Sequence, residues 1–173
     1  VQTYELNADP NPRWVPQGNV GGGFSSATAD YFSTAFAIRP NSSSTTGPNT
    51  LFMTNWKLNP KVWAVGQSNL NPISNLTEIY SINSYFRYLA PFDERMVWFH
   101  SGNTTASDVT DTSRYFPNRT VWSARGNPFD YTNGGFFDNV DMQGFGTGIV
   151  AERDRLIEWT DKQVWAGRPR RDA

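Results

Sequence analysis

The sequence predicts a mainly β fold of α+β type: an antiparallel β-sandwich or partly open barrel closed by one C-terminal α-helix. Three observations predict it. Short alternating or apolar runs recur at regular intervals, punctuated by Gly, Pro and Asn. Aromatic residues make up 15% of the chain and charged residues only 18%, a balance suited to pleated, half-buried surfaces. One late segment, Ile149 to Trp165, instead follows a helical period.

Residues 1–23 carry Pro10, Pro12, Pro16 and the run Gly21-Gly22-Gly23, which suits neither a helix interior nor a central strand. They read as an irregular lead-in or linker. No Lys-Ser/Thr follows the glycines, so they are no phosphate loop. Residues 24–167 form the globular domain. The second half of Ala29 to Ile38 reads as a strand, and 41–49 (NSSSTTGPN) as an exposed loop. Leu51 to Leu58 and Lys61 to Val65 flank Asn59-Pro60 as neighbouring strands. Thr77 to Leu89 is an apolar-rich segment ended by Pro91, Met96 to His100 is the next strand, and Arg119 to Ala124 another. Asn133-Gly134, set between aromatic residues, signals a tight hairpin. In the expected helix Thr147 caps the start, Glu158 and Lys162 form an i,i+4 pair, and Gly167 with Pro169 ends it. Residues 168–173 are a basic tail.

Composition narrows the function classes. With 173 residues and 38% hydrophobic content the chain can bury a core without disulfides or metal. A net charge of −1 gives no electrostatic reason to expect nucleic acid as a partner. No apolar run approaches the roughly 20 residues of a transmembrane helix. Opening on Val1, the chain reads as a processed product or an excised domain. The absence of cysteine argues weakly against an ordinary secretory route. Sequons at Asn41, Asn75, Asn103 and Asn118 point the other way, but in so Asn-, Ser- and Thr-rich a chain they mark little beyond polar loops. No cofactor or metal is expected. Asp138-Asn139-Val140-Asp141 offers oxygen ligands but lacks the length and glycine of a calcium loop, so turn capping is the better reading.

The only histidine, His100, precedes Ser101, with Asp108 and Asp111 a short loop further on. These are the residue types of a base, a nucleophile and an orienting carboxylate. In a regular strand His100 and Ser101 point to opposite faces, so any contact requires the backbone to turn. Gly102 and Asn103, tolerant of positive φ, are where that turn is expected, and their N–H groups would serve an oxyanion. No G-x-S-x-G elbow is present. The structural alternative is that His100 ends a strand, with Met96 and Trp98 as face-mates, and hydrogen-bonds a loop.

Tyr88-Leu89-Ala90-Pro91-Phe92 with Val97-Trp98-Phe99-His100-Ser101, and Gly146-Thr147-Gly148-Ile149 with Glu152-Arg153 and the expected helix through Trp165-Ala166-Gly167, resemble the protruding (P) domain of a honeybee iflavirus capsid protein. The resemblance covers about a quarter of the chain. It implies a module on the virion surface, joined to other capsid proteins by a linker, that engages a glycan, lipid or protein receptor of the host. It also implies a Ser-His-Asp hydrolase of esterase or lipase type, with His100 and Ser101 as the pair. Here Phe99 is inserted before the histidine and the aspartate, Asp108 or Asp111, lies closer in sequence. Asp130 or Asp138 are further candidates for the orienting role.

The competing reading is a non-catalytic carbohydrate-binding β-sandwich, secreted or displayed, in which exposed aromatics stack on sugar rings. Trp98, Trp122 and Tyr115 are the ligand-binding candidates, with Trp56 and Trp63 behind them. A carboxylate-pair glycosidase using Glu78, Asp93 or Glu94 ranks last, because no spacing rule sets two of them the required 5–10 Å or so apart.

Overall fold

The computed structural model describes residues 2–4, 14–16, 33–37, 50–54, 59–64, 71–73, 84–103 and 115–168. Asp108, Asp111, Glu78, Trp56, Asn41 and Asn75 lie outside the described residues. Every regular element among the described residues is a strand, and all strand pairs are antiparallel. Within the expected lead-in, β1 (Gln2–Tyr4) pairs with β2 (Trp14–Pro16). A four-stranded sheet is formed in order by β3 (Ser33–Ala37), β4 (Thr50–Thr54), β5 (Lys61–Ala64) and β6 (Asn71–Pro72). A second sheet comprises β7 (Ser84–Phe92), β8 (Arg95–Asn103), β9 (Tyr115–Trp122) and β10 (Gly135–Asp138), with β7 and β10 at its edges. A third holds β11 (Gly146–Glu152), β12 (Arg155–Thr160) and β13 (Val164–Gly167).

The second sheet sits between the other two. On one face Trp98, wholly buried, packs its indole against Phe52 of β4 and Phe86 of β7, with ring centroids 6.3 and 5.1 Å away. Met96, Leu89, Val121, Val62, Ile73 and Tyr131 complete this core. The indole N–H donates to the Tyr131 hydroxyl at 2.7 Å, so the aromatic cluster buries its polar atoms in pairs. On the other face Thr120 of β9 donates a hydrogen bond to Glu158 of β12, tying the third sheet down.

The C-terminal helix is not formed. Residues 149–165 run through the β11–β12–β13 meander instead. The segment is dense in β-branched and aromatic residues, and its burial alternates: Glu158 and Thr160 are buried while Ile157 and Trp159 are only half-buried. The apolar matches to a 3.6 period arose from three strands of period two joined across two tight turns. At the first turn Arg153 adopts φ 51°. Glu158 and Lys162 are consequently no helical pair: Glu158 is buried and Lys162 exposed. Thr147 caps no helix; its hydroxyl donates to the Trp159 carbonyl across the β11–β12 ladder.

Two turn readings also change. Pro91 does not end its segment; β7 runs through it to Phe92, which an edge strand permits because a missing N–H there costs no ladder bond. The following turn places Asp93 and Glu94 at φ 47° and 60°, the mirror-image hairpin geometry that matches strand twist, without the usual Asn-Gly. Asn133-Gly134 instead sits in the long β9–β10 connection, where Asp130 accepts from both the backbone and side-chain amides of Asn133. The strand pairs expected around Asn59-Pro60 are present, with β4 against β5.

Candidate functional site

β8 keeps a single register with β7, lacking only the rung between Arg87 and His100, but on its other side the register shifts. Phe99 faces Thr120 of β9 and Ser101 faces Phe116, so one β8 residue, His100, stands opposite three of β9, Pro117, Asn118 and Arg119. Pro117 has no N–H to give the ladder, and the bulge absorbs it. His100 takes up the strain with φ 62°, a conformation that costs a non-glycine residue roughly 1–3 kcal/mol unless its surroundings hold it there. The turn expected at Gly102 and Asn103 therefore falls on the histidine itself. Gly102 and Asn103 continue as strand, and Gly102 is flanked on both sides by neighbouring strands, so it offers no free oxyanion hole.

The left-handed residue breaks the alternation. His100 leaves the face of Met96 and Trp98, where a regular strand would put it, and joins Phe99 against Gly146 of β11. Ser101 lies directly across from Phe86, on the Trp98 face. Directly opposed residues of an antiparallel pair share a face. The histidine and the serine thus emerge on opposite sides of the sheet, and both are fully buried.

Both imidazole nitrogens are engaged. Nδ1 is 2.9 Å from the Gly146 carbonyl, which can only accept, so Nδ1 carries the proton. Nε2 then accepts from the Tyr115 hydroxyl at 2.5 Å. Tyr88 and Tyr115 also meet the ring edge-on, with centroids 6.3 and 5.1 Å away. Burial, with the positive field of Arg87 as a second cause, lowers the imidazole pKa to about 3, against a smaller opposing effect of the Gly146 bond. Burial correspondingly pushes the Tyr115 hydroxyl up to about 12. At neutral pH this is an uncharged imidazole used as a polar rivet between β8, β9 and β11.

Gly146 is the third part of the rivet. A methyl group there would come within 2.7 Å of the Phe99 ring and 2.9 Å of His100 Nδ1. Gly146→Ala is therefore expected to destabilise the fold by about 1–3 kcal/mol, the usual cost of overpacking. A urea titration checks this; an unchanged midpoint would mean that β11 stands off from the histidine.

Among the described residues, the other carboxylate candidates Asp138, Asp130, Asp93 and Glu94 are committed elsewhere. Asp138 is held bidentately by Arg119, whose guanidinium also lies over the Phe116 and Phe136 rings at 3.8 and 4.3 Å. Asp130 is bound by the backbone and side-chain amides of Asn133, which lower its pKa. Asp93 and Glu94 both turn toward Arg125 on the surface. Among the described residues no three His, Asp or Glu side chains are grouped to hold a metal. No helix among them is long and apolar enough to cross a membrane.

Of the aromatic candidates, Trp98 and Tyr115 are core residues, and Trp63 is also buried. Trp122 differs. It is half-buried, and its ring lies over Gly135 of β10, where an added Cβ would meet ring atoms at 2.9–3.1 Å. Phe136 and Phe137, beside it on the edge strand, are 51% and 56% exposed. Sequence reasoning did not single out these phenylalanines, although Gly-Phe-Phe at a strand edge was the available signal. It also missed the buried Glu158, whose pKa is raised because burial outweighs the Thr120 bond. No protein-family model matches the chain, and no curated protein does so either.

Proposed function

We propose that the chain is a non-catalytic β-sandwich module that binds glycan at a host-cell surface. Its setting on a virion, tethered to other capsid proteins, rests on the sequence resemblance to iflavirus protruding domains. The observation that carries the binding reading is the aromatic ledge at the β9–β10 edge. Trp122 lies flat on Gly135, Phe137 shares its face by register, and Phe136 occupies the reverse side beside Arg119. Exposed aromatic rings grouped on one strand edge are the kind of patch that marks an interaction site, and the C–H face of a pyranose is a partner that an indole accepts. Catalysis has weaker support, because the imidazole has no nitrogen to spare and no solvent path to Ser101 is open.

Screening on a glycan array tests the proposal. Retention is expected, with a loss of about tenfold or more in Trp122→Ala at an unchanged melting temperature. A fluorophosphonate should leave Ser101 unlabelled. Labelling that disappears in Ser101→Ala, without glycan retention, would replace this reading with the hydrolase.

A further inference from the structure

The outer face of the C-terminal sheet is graded along its length. Because Glu158 and Thr160 point inward, Ile157 and Trp159 point outward, and the register fixes their neighbours. At one end Trp159 lies across Gly148, so closely that any Cβ there would run into the indole, with Val164 on its other side and 72% exposed. The next rung, Val150, Ile157 and Ala166, is wholly apolar, and Val150 is 44% exposed. Beyond it the face becomes charged. Arg155 and Arg168 both approach Asp154, at 3.9 and 3.6 Å, with all three side chains more than half exposed. Counting Glu152 and Arg153 of the same turn, three guanidiniums meet two carboxylates.

Strands are about 4.8 Å apart and same-face rungs about 7 Å apart, so the apolar area measures roughly 10 by 7 Å between backbone positions. That accommodates one or two sugar rings. It falls far short of the roughly 800 Å² per partner that a stable protein interface buries. From the Trp159 rung to the Arg155 rung is about 14 Å, the reach of a trisaccharide. We infer that this face is a second glycan subsite, selective for an acidic oligosaccharide whose neutral ring stacks on Trp159 while its carboxylate or sulfate meets Arg155 and Arg168. The inference rests on the glycan-binding reading and adds a location and a charge preference to it. Gly148 has a specific part: only a residue without a side chain lets the indole lie flat and present one face outward. The exposed guanidiniums of Arg155 and Arg168 supply the selectivity, because a neutral sugar gains no charge-assisted bond from them.

The test titrates the full chain with a sialylated trisaccharide and with lactose, following indole N–H resonances by NMR and affinity by calorimetry. The Trp159 resonance is identified as the one missing in Trp159→Phe. It should shift with the sialylated sugar, and Trp159→Ala should weaken binding by about tenfold. The double variant Arg155→Gln/Arg168→Gln, confined to exposed side chains, should weaken it by roughly threefold and flatten its salt dependence. Equal affinity for lactose, or indifference to the two arginines, overturns the charge selectivity and with it the inference. Binding lost only in Trp122→Ala overturns the second subsite but leaves glycan binding at the β9–β10 edge intact. A Trp159 shift that follows protein concentration alone, without sugar, would assign the face to a second copy and overturn the inference. Failure to bind any glycan removes both readings.

Discussion

Replacing Trp98 with alanine is expected to lower the melting temperature by about 10 °C, the largest effect of any single substitution considered. The indole is fully buried between Phe52, Phe86 and Tyr131, so its truncation leaves a cavity in the core shared by two sheets. Such truncations cost about 3–5 kcal/mol, and each kcal/mol moves the transition of a domain this size by roughly 2–4 °C. A second loss compounds the first, because the wholly buried Tyr131 hydroxyl loses the donor it now receives at 2.7 Å. A double-mutant cycle separates the two. Trp98→Phe keeps most of the packing and strands the hydroxyl, whereas Trp98→Phe with Tyr131→Phe removes both polar atoms. The double variant should be less destabilised than the sum of the singles. Strict additivity would show that the hydrogen bond contributes nothing beyond volume.

The second expected result concerns acid. His100 is held neutral at a pKa of about 3, against an ordinary value of 6.5 in the unfolded chain. Between those values the unfolded state binds the extra proton, so this residue's contribution to stability is complete above about pH 6.5 and declines as the pH falls toward 3. At pH 4.5 the deficit is on the order of 2.7 kcal/mol, two units at about 1.36 kcal/mol each. Glu158 acts in the opposite sense. Its raised carboxyl pKa gives a contribution present in acid and lost as the pH rises through the folded-state value. Urea midpoints at pH 7.5 and 4.5 for the unaltered chain and for His100→Gln cancel the Glu158 effect, which both proteins share. The unaltered chain should lose more stability over this interval, by about 2 kcal/mol or somewhat more. Equal losses in the two proteins would mean that the imidazole is hydrated and titrates normally.

The β character of the chain was legible wherever alternation and turn residues agreed, as for β4 and β5 around Asn59-Pro60 and for the start of β8. It failed where two patterns were degenerate. Ile149, Leu156, Ile157, Thr160 and Val164 satisfy a helical spacing by accident, because a two-residue turn at Arg153-Asp154 shifts one strand's phase relative to the next. Local spacing cannot separate these cases when the inward positions include Glu158, a residue read as solvent-facing until Thr120 is seen beneath it. The sequence marked His100 as the residue to explain and identified the backbone geometry that would decide its role. The outcome depended on Pro117 and Gly146, distant in sequence, which create the bulge and receive the flipped ring. A surface aromatic is equally hard to recognise. Trp98 and Trp122 look alike along the chain, and only the glycine across from Trp122 shows which one lies on the outside.

The bond between His100 and Gly146 also sets a timetable. Its two ends are 46 residues apart in the chain. At a synthesis rate of about 5–20 residues per second, the acceptor leaves the ribosome roughly 2–9 s after the imidazole. During that interval β7, β8 and β9 can pair, since hairpins close in about 1–10 μs. The imidazole Nδ1–H meanwhile has only water to bind, and one side of the bulged sheet is bare. Among the described strands, those of the β11–β13 meander follow the central sheet in synthesis, so the partner that holds the imidazole reaches it only after β7, β8 and β9 have been made.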